Sequence, residues 1–307
     1  MNKRITNKVL SVALLLFVSM IWGFAFVAQR VATGAVGAYA FTGIRFCLGA
    51  IVVLPVTLIF ERERLDKQKR KLTYLYSALS GIVMFLACLT QQMGVEITQN
   101  AGKSGFITAL YTVLVPIASA IIYKQKKGVN VWMGAVLAMV GLFLLSVNET
   151  FTVGIGEILL FLCAVLWTAQ ILIVDVSMQK GVPPLKFSMY QFFVCGIVGV
   201  VLALFIEPES FTVDALSEAM IPILYAGVLS VGVAFTLQSV AQKRSDPTTA
   251  AIIFSTEALF GTIGGAIILH EVMSLRAYIG CAVMFFGLVL SQIDIKKDKI
   301  QEKLRDE

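Results

Sequence analysis

Residues 81–146 read GIVMFLACLTQQMGVEITQNAGKSGFITALYTVLVPIASAIIYKQKKGVNVWMGAVLAMVGLFLLS, and residues 227–292 read GVLSVGVAFTLQSVAQKRSDPTTAAIIFSTEALFGTIGGAIILHEVMSLRAYIGCAVMFFGLVLSQ. At a constant shift of 146 the two stretches align without a gap and share 12 of 66 residues, among them Gly81/Gly227, Gln92/Gln238, Gly134/Gly280 and Gly141/Gly287. In so apolar a chain the identities alone carry little weight. The unbroken register and the matching succession of apolar runs and polar turns make this an internal repeat. It extends upstream, where Trp22 and Trp167 open corresponding helices and Phe46 and Phe192 follow.

A membrane-spanning helix needs about 20 mainly apolar residues. Such runs predict ten helices, at 9–29, 38–60, 72–95, 101–123, 129–147, 157–176, 186–206, 219–241, 248–269 and 275–293. The run after Lys8 continues past Ala28, longer than the apolar 7–15 residues of a cleaved signal, so it is read as the first span. The whole composition agrees. Hydrophobic residues make up 58% of the 307 and charged residues 14%, against about 45–50% and 25% in soluble domains. Disordered, collagenous and nucleic-acid-binding classes are excluded on the same numbers. Cys47, Cys88, Cys163, Cys195 and Cys281 all lie in apolar runs with no CxxC pair, so neither a disulfide framework nor a zinc site is expected. No cofactor is called for.

Lys and Arg set the orientation. With the N-terminus inside, 21 of the 25 basic residues fall in inside segments and only Arg30, Lys103 and Arg276 fall outside, with Arg45 within a span. Both termini are therefore predicted to be cytoplasmic. The longest polar insert, Glu61–Lys71, lies inside. Five helices per half is an odd number, so the second half must enter the membrane in the opposite sense. That is an inverted-topology repeat, a construction of secondary transporters. The fold class is an all-α integral membrane protein of ten transmembrane helices in two inverted five-helix repeats. The first repeat is assigned to 1–150, the second to 151–293, and a charged cytoplasmic tail to 294–307.

Further residues carry a family resemblance. Ile21-Trp22-Gly23 and Arg45-Phe46 stand in the first half; Asp246-Pro247, Glu257-Ala258-Leu259-Phe260, Glu271, Gly280 and Gly287 stand in the second. In these the chain resembles the ten-helix EamA-type branch of the drug/metabolite transporter superfamily. The resemblance implies efflux or exchange of small metabolites such as amino acids. Ala258 departs from the family, which often has Pro after this Glu, so no proline distorts helix 9 there.

Ionisable side chains at membrane depth are costly and mark candidate sites. Glu257 lies ten residues into helix 9, about 15 Å deep at 1.5 Å per residue. Tyr111 is its repeat partner from the opposite side. A protonated carboxyl at this depth can exchange its proton for an amino group; the alternative is a hydrogen-bonded acid that holds two helices together. Arg45 can attract an anionic group, or snorkel outward. Gln91, Gln92 and Gln238 offer amides to a substrate or act as interhelical glue. Trp22, Trp167 and Gln170 can line a cavity through helices 1 and 6, and Trp22 equally suits an interface anchor. Helices 3, 4, 8 and 9 are expected to surround the cavity, with Tyr111, Gln92, Gln238 and Glu257 reaching it. Asp175 and Arg30 occupy equivalent positions near opposite surfaces. Glu271 is read as a turn cap and the paired glycines as packing sites.

The reading is a secondary transporter, exporter or exchanger, that moves a small polar or amphipathic metabolite across the plasma membrane by alternating access. Its partners are the small-molecule substrate, the bilayer and a coupling proton, as monomer or homodimer, with no nucleic acid. An intramembrane enzyme or a channel-like protein is the alternative. The chain has no DDxxD cluster for a diphosphate and no GxxxxGK[ST] loop, so no phosphate-cradling motif speaks for an enzyme or an ATP-driven motor.

Overall fold

The computed structural model describes residues 3–32, 34–98, 101–124, 128–146, 154–268 and 274–292. The described residues of the predicted spans are mostly helical. Helices α1 (Lys3–Ala32), α2 (Ala38–Phe60), α3 (Lys67–Thr98), α4 (Ala101–Thr108), α5 (Tyr111–Tyr123) and α6 (Val129–Ser146) form the first half. Helices α7 (Ile155–Gln179), α8 (Pro184–Ile206), α9 (Val213–Glu218), α10 (Met220–Leu224), a π-wound stretch Tyr225–Phe235, α11 (Thr236–Gln242), α12 (Pro247–Phe254), α13 (Glu257–Ile268) and α14 (Leu275–Gln292) form the second. Among the described residues, six helices are long and apolar enough to cross a membrane. Large apolar side chains cover their outer faces; Phe205, for example, is 83% exposed. A surface this apolar is stable only against lipid. The protein is a multi-pass membrane protein.

Three expectations need correction. Segment 101–123 is not one helix but α4 and α5, separated by a turn at Ala109 and Leu110. Segment 248–269 is likewise split, into α12 and α13, by a turn at Ser255 and Thr256. The third difference lies in segment 219–241, whose middle is wound with i→i+5 bonds over 11 residues. Helices α1, α3, α7 and α8 run longer than predicted. Charged ends such as Lys67–Lys71 continue α3 into the aqueous layer, where polar side chains cost nothing. The tail 294–307, Glu271 and most of the loop 148–156, expected outside, lie beyond the described residues.

Contacts between helices recur when the halves are exchanged. Helix α1 packs on α13, as α7 packs on α5; α3 packs on α7, as α1 packs on the π-wound stretch. The pairs α2·α8 and α6·α14 are their own counterparts. Glycine makes the last pair close. A Cβ on Gly141 would sit 2.5 Å from the Gly280 carbonyl oxygen, and one on Gly134 2.7 Å from that of Gly287. Small residues let helix backbones touch where lipid gives no hydrophobic drive.

Two glutamates fasten α2 to α8. Glu61 follows α2, and its carboxylate accepts the backbone N–H groups of Leu185 at 3.1 Å and Lys186 at 2.8 Å. Glu207, 146 residues on, follows α8 and accepts those of Tyr39 at 3.4 Å and Ala40 at 3.0 Å. Each satisfies orphan donors at the other helix's N-terminus, where the dipole favours a negative charge. The two helices are thereby fixed antiparallel.

Candidate functional site

The site begins at the two helix breaks. In the second half, Ser255 Oγ donates to the Ile252 carbonyl and Thr256 Oγ1 to that of Ile253, both at 2.7 Å. Hydroxyls that bond back three residues compete with the helical ladder. The backbone tightens accordingly: Thr256 N–H bonds Ile253 and Ala258 N–H bonds Ser255, three residues back instead of four. The break therefore forms without a proline. In the first half the same tightening joins Leu110 N–H to Ile107 and Thr112 N–H to Ala109. There Pro116 lacks the N–H that would bond Thr112, which loosens the following turn. At the start of α12, Pro247 takes the first helical position and Asp246 caps it, its Oδ1 accepting from Thr248 and Thr249.

The first helical residues after the breaks are Tyr111 and Glu257, 146 positions apart. They meet. Tyr111 OH donates to Glu257 Oε1 at 3.1 Å. Both open on a cavity of about 60 Å³, room for about four to six water molecules. The cavity is bounded on one side by aromatic rings. Trp167 stacks on Phe235 with centroids 5.8 Å apart, and Trp22 lies 4.6 Å from Phe235 and 5.0 Å from Phe254. The Trp22 indole N–H donates to the Ser230 carbonyl at 3.2 Å, in the π-wound stretch. Trp22 thus belongs to the cavity wall.

Arg45 lies at the opposite pole from Glu257 in character. It is buried, lines the cavity, and its Nε has no hydrogen-bond partner. Its guanidinium carbon sits 5.1 Å from the Phe41 ring and 5.3 Å from that of Phe46, and Cys88 is beside it. A cation held on aromatic faces with a free donor is suited to a carboxylate. Between the poles, Gln238 Nε2 donates to Gln170 Oε1 at 3.1 Å. Gln170 Nε2 and Gln238 Oε1 remain unpaired. Flipping both amides exchanges their roles but leaves one donor and one acceptor over.

Eight of the nine sequence candidates line this cavity: Glu257, Tyr111, Gln238, Gln91, Trp167, Gln170, Trp22 and Arg45. Gln92 does not, and the expectation that it reaches the centre is corrected. Its Nε2 turns to Glu96 at 3.2 Å, because one residue is about 100° around a helix. Its repeat partner Gln238 faces inward for a local reason. It follows a stretch of i→i+5 winding that its counterpart in α3 lacks, so matched sequence positions need not share a helix face. Helices α1 and α7 contribute to the wall through Trp22, Trp167 and Gln170, and α2 through Arg45, all named from sequence beside the four surrounding helices. Gln29, Ser230, Phe235 and Phe254 were not singled out from sequence, and no pattern in the chain marks them. Asp175 is engaged elsewhere, accepting from Tyr123 OH and from Gln179 Nε2. No group of three or more potential metal-ligating residues occurs among the described residues.

Comparison with known proteins bears on both halves. Residues 9–147 and residues 154–292 each match the EamA-like transporter family. An "Uncharacterized transporter" of Archaeoglobus fulgidus is 27% identical over 284 residues, covering 92% of this chain and 85% of the relative. The "Uncharacterized transporter YoaV" of Bacillus subtilis is 20% identical, with 92% and 97% covered. A solved crystal structure superposes with a TM-score of 0.78 at 16% identity, covering 92% of this chain and 98% of that one, which is a likeness of fold.

Proposed function

The chain belongs to the EamA-like transporter family, and we propose that it is a secondary transporter, exporter or exchanger, for small amino-bearing metabolites such as amino acids. It is a membrane transporter by family; the substrate class is read from the site. The observation that carries it is the meeting of Glu257 and Tyr111 across the two breaks. An acid beside aromatic rings suits an ammonium group, by ion pairing and by cation–π attraction. Arg45 suits the carboxylate of the same molecule.

The same reading sets ten crossings in two inverted five-helix repeats, 1–150 and 151–293, with both termini and the tail in the cytoplasm of a plasma-membrane protein. The antiparallel α2·α8 pair, clasped by glutamates 146 residues apart, supports the inversion. Alternating access moves the substrate past the central carboxyl, which exchanges a proton for the amine. The protein works as monomer or homodimer without a resident cofactor.

Uptake into proteoliposomes across pH tests this. Glu257→Gln keeps the acceptor for Tyr111 and hence the fold, but has no proton to exchange. Its transport of amino acids should fall to background and lose its dependence on pH. An unchanged rate and profile would make Glu257 a packing residue and remove the site from this cavity.

A further inference from the structure

The cavity is lined toward the end predicted to face outside by Gln29, Arg45 and Gln91, and toward the other end by Gln170 and Gln238. Beyond Gln238 the packing is closed, yet it is polar. Ser77, Ser80, Ser188, Gln191, Ser239 and Gln242 are all at most 2% exposed. They form a seam that starts at the cavity. Gln238 lines it, and the adjacent Ser239 accepts from Ser188 at 3.1 Å. One turn along α8, Gln191 Oε1 accepts from Ser80 at 2.8 Å.

The seam is also incompletely bonded. Gln191 Nε2, Gln242 Oε1 and Ser77 Oγ have no partner. A buried polar atom without a partner costs about 1–3 kcal/mol, so apolar side chains would seal this end better. Groups kept at that cost are explained if another state of the protein hydrates them.

The repeat says which state. Helices α2 and α8 correspond position by position: Ala38 to Pro184, Phe60 to Ile206, Glu61 to Glu207. In this register Gln191 is the counterpart of Arg45 and Ser188 that of Thr42. One member of the first pair lines the open cavity and the other is sealed. In an inverted repeat, exchanging the conformations of the halves exchanges these environments.

We propose that Ser188 and Gln191, with Ser239 and Gln242, form a second substrate-contact station, sealed here, that opens to the cytoplasmic face when the Arg45 side closes. It offers neutral amides and hydroxyls to the hydrogen-bonding groups of the substrate, where the outer side offers a cation. The inference rests on the transporter reading above.

Ser188→Cys and Gln191→Cys are introduced singly into the full chain. A small cationic, membrane-impermeant methanethiosulfonate is applied to inverted vesicles and to spheroplasts, and labelling is read site by site by mass spectrometry. A minor conformer is populated at about 0.1–10%, so these thiols should react about 10- to 1,000-fold more slowly than one at exposed Lys67→Cys. They should still react faster than a thiol at buried Ala138→Cys, and from the cytoplasmic face. Reaction from the opposite face alone supports the station and overturns the orientation. Rates at both sites no faster than at Ala138→Cys on either face overturn the proposal and make the seam interhelical glue. Amino-acid flux in the same vesicles is measured separately. Flux with inert thiols sinks the station alone, and reactive thiols without flux sink the transport reading.

Discussion

Replacing Glu61 or Glu207 by Gln should lower thermal stability by similar amounts at the two ends of one helix pair. Each carboxylate accepts two backbone N–H groups at a helix N-terminus. A Gln side chain keeps one acceptor and turns an NH₂ group toward the other N–H, so one of two bonds is lost, together with the charge. A hydrogen bond to a charged group contributes about 1.5–3 kcal/mol and a neutral one about 0.5–1.5. The dipole interaction adds about 0.3–1 kcal/mol. Both glutamates are half-buried, so solvent screening reduces the net loss to about 1–2 kcal/mol per site. On the scale of about 2–4 °C per kcal/mol for large domains, each variant melts about 2–8 °C lower. The 23 residues of α2 hold the sites about 34 Å apart, far enough that the double variant should lose the sum within about 0.5 kcal/mol. Tryptophan fluorescence of the detergent-purified protein during heating reads the shift. Single and double variants all within about 1 °C of the parent, at most about 0.5 kcal/mol on that scale, would refute the clasp. A large loss at one site and none at the other would refute its symmetry.

Arg45→Gln removes the cation but keeps a donor; KM for carboxylate-bearing substrates should rise about 10- to 100-fold, as loss of a charge-assisted bond requires, with uncharged amines unaffected in the same uptake assay. Gly141→Leu must push the Gly280 backbone aside, since even a Cβ would lie 2.5 Å from its carbonyl oxygen; overpacking of about 1–3 kcal/mol should appear as a lower melting temperature at unchanged substrate selectivity. A thermal screen of the purified protein against amino acids, nucleosides and sugars should single out amines. A ligand at 100 times its Kd stabilises by about 2.7 kcal/mol, and Glu257→Gln should lose that gain. An impermeant maleimide applied to intact cells should label Thr152→Cys and spare Lys67→Cys; the reverse pattern would invert the topology.

Much of this was legible in the chain because membranes impose long, readable periods. Twenty-residue runs marked the helices, and a constant shift of 146 paired Tyr111 with Glu257 before any distance was known. The sequence did not disclose the breaks at 109–110 and 255–256. Apolar runs continue across both, and the hydroxyls that tighten the second one look like ordinary helix-interior Ser and Thr. Nor was the π-wound stretch legible, since Tyr225–Phe235 is as apolar and as rich in good spanning residues as its regular counterpart in α3. Gln92 was expected at the centre beside Gln238, whereas Gln91 lines the cavity and Gln92 turns to Glu96. Helix face is the least robust inference from sequence, because a single inserted residue turns every side chain beyond it by about 100°.

The two breaks also explain why a duplicated scaffold makes an unsymmetrical site. Positions 111 and 257 meet at one point, so whatever occupies them must be compatible side by side. Two acids there would repel, and two phenols would leave a substrate no charge to pair with. An acid facing a phenol avoids both: Tyr111 donates to Glu257, and the second carboxylate oxygen stays available to a ligand. The same divergence separates Arg45 from Gln191. A charge on one side of the centre and an amide on the other give equal backbones unequal affinities. A substrate carboxylate then meets a charge-assisted bond beside Arg45 and a neutral one beside Gln191, a difference of about 1–2 kcal/mol, or roughly tenfold in affinity between the two faces. In the proposed transport cycle the asymmetry of affinity therefore lies in side chains that differ at matched positions such as Arg45 and Gln191, while the direction of net flux follows the gradients of substrate and coupling ion.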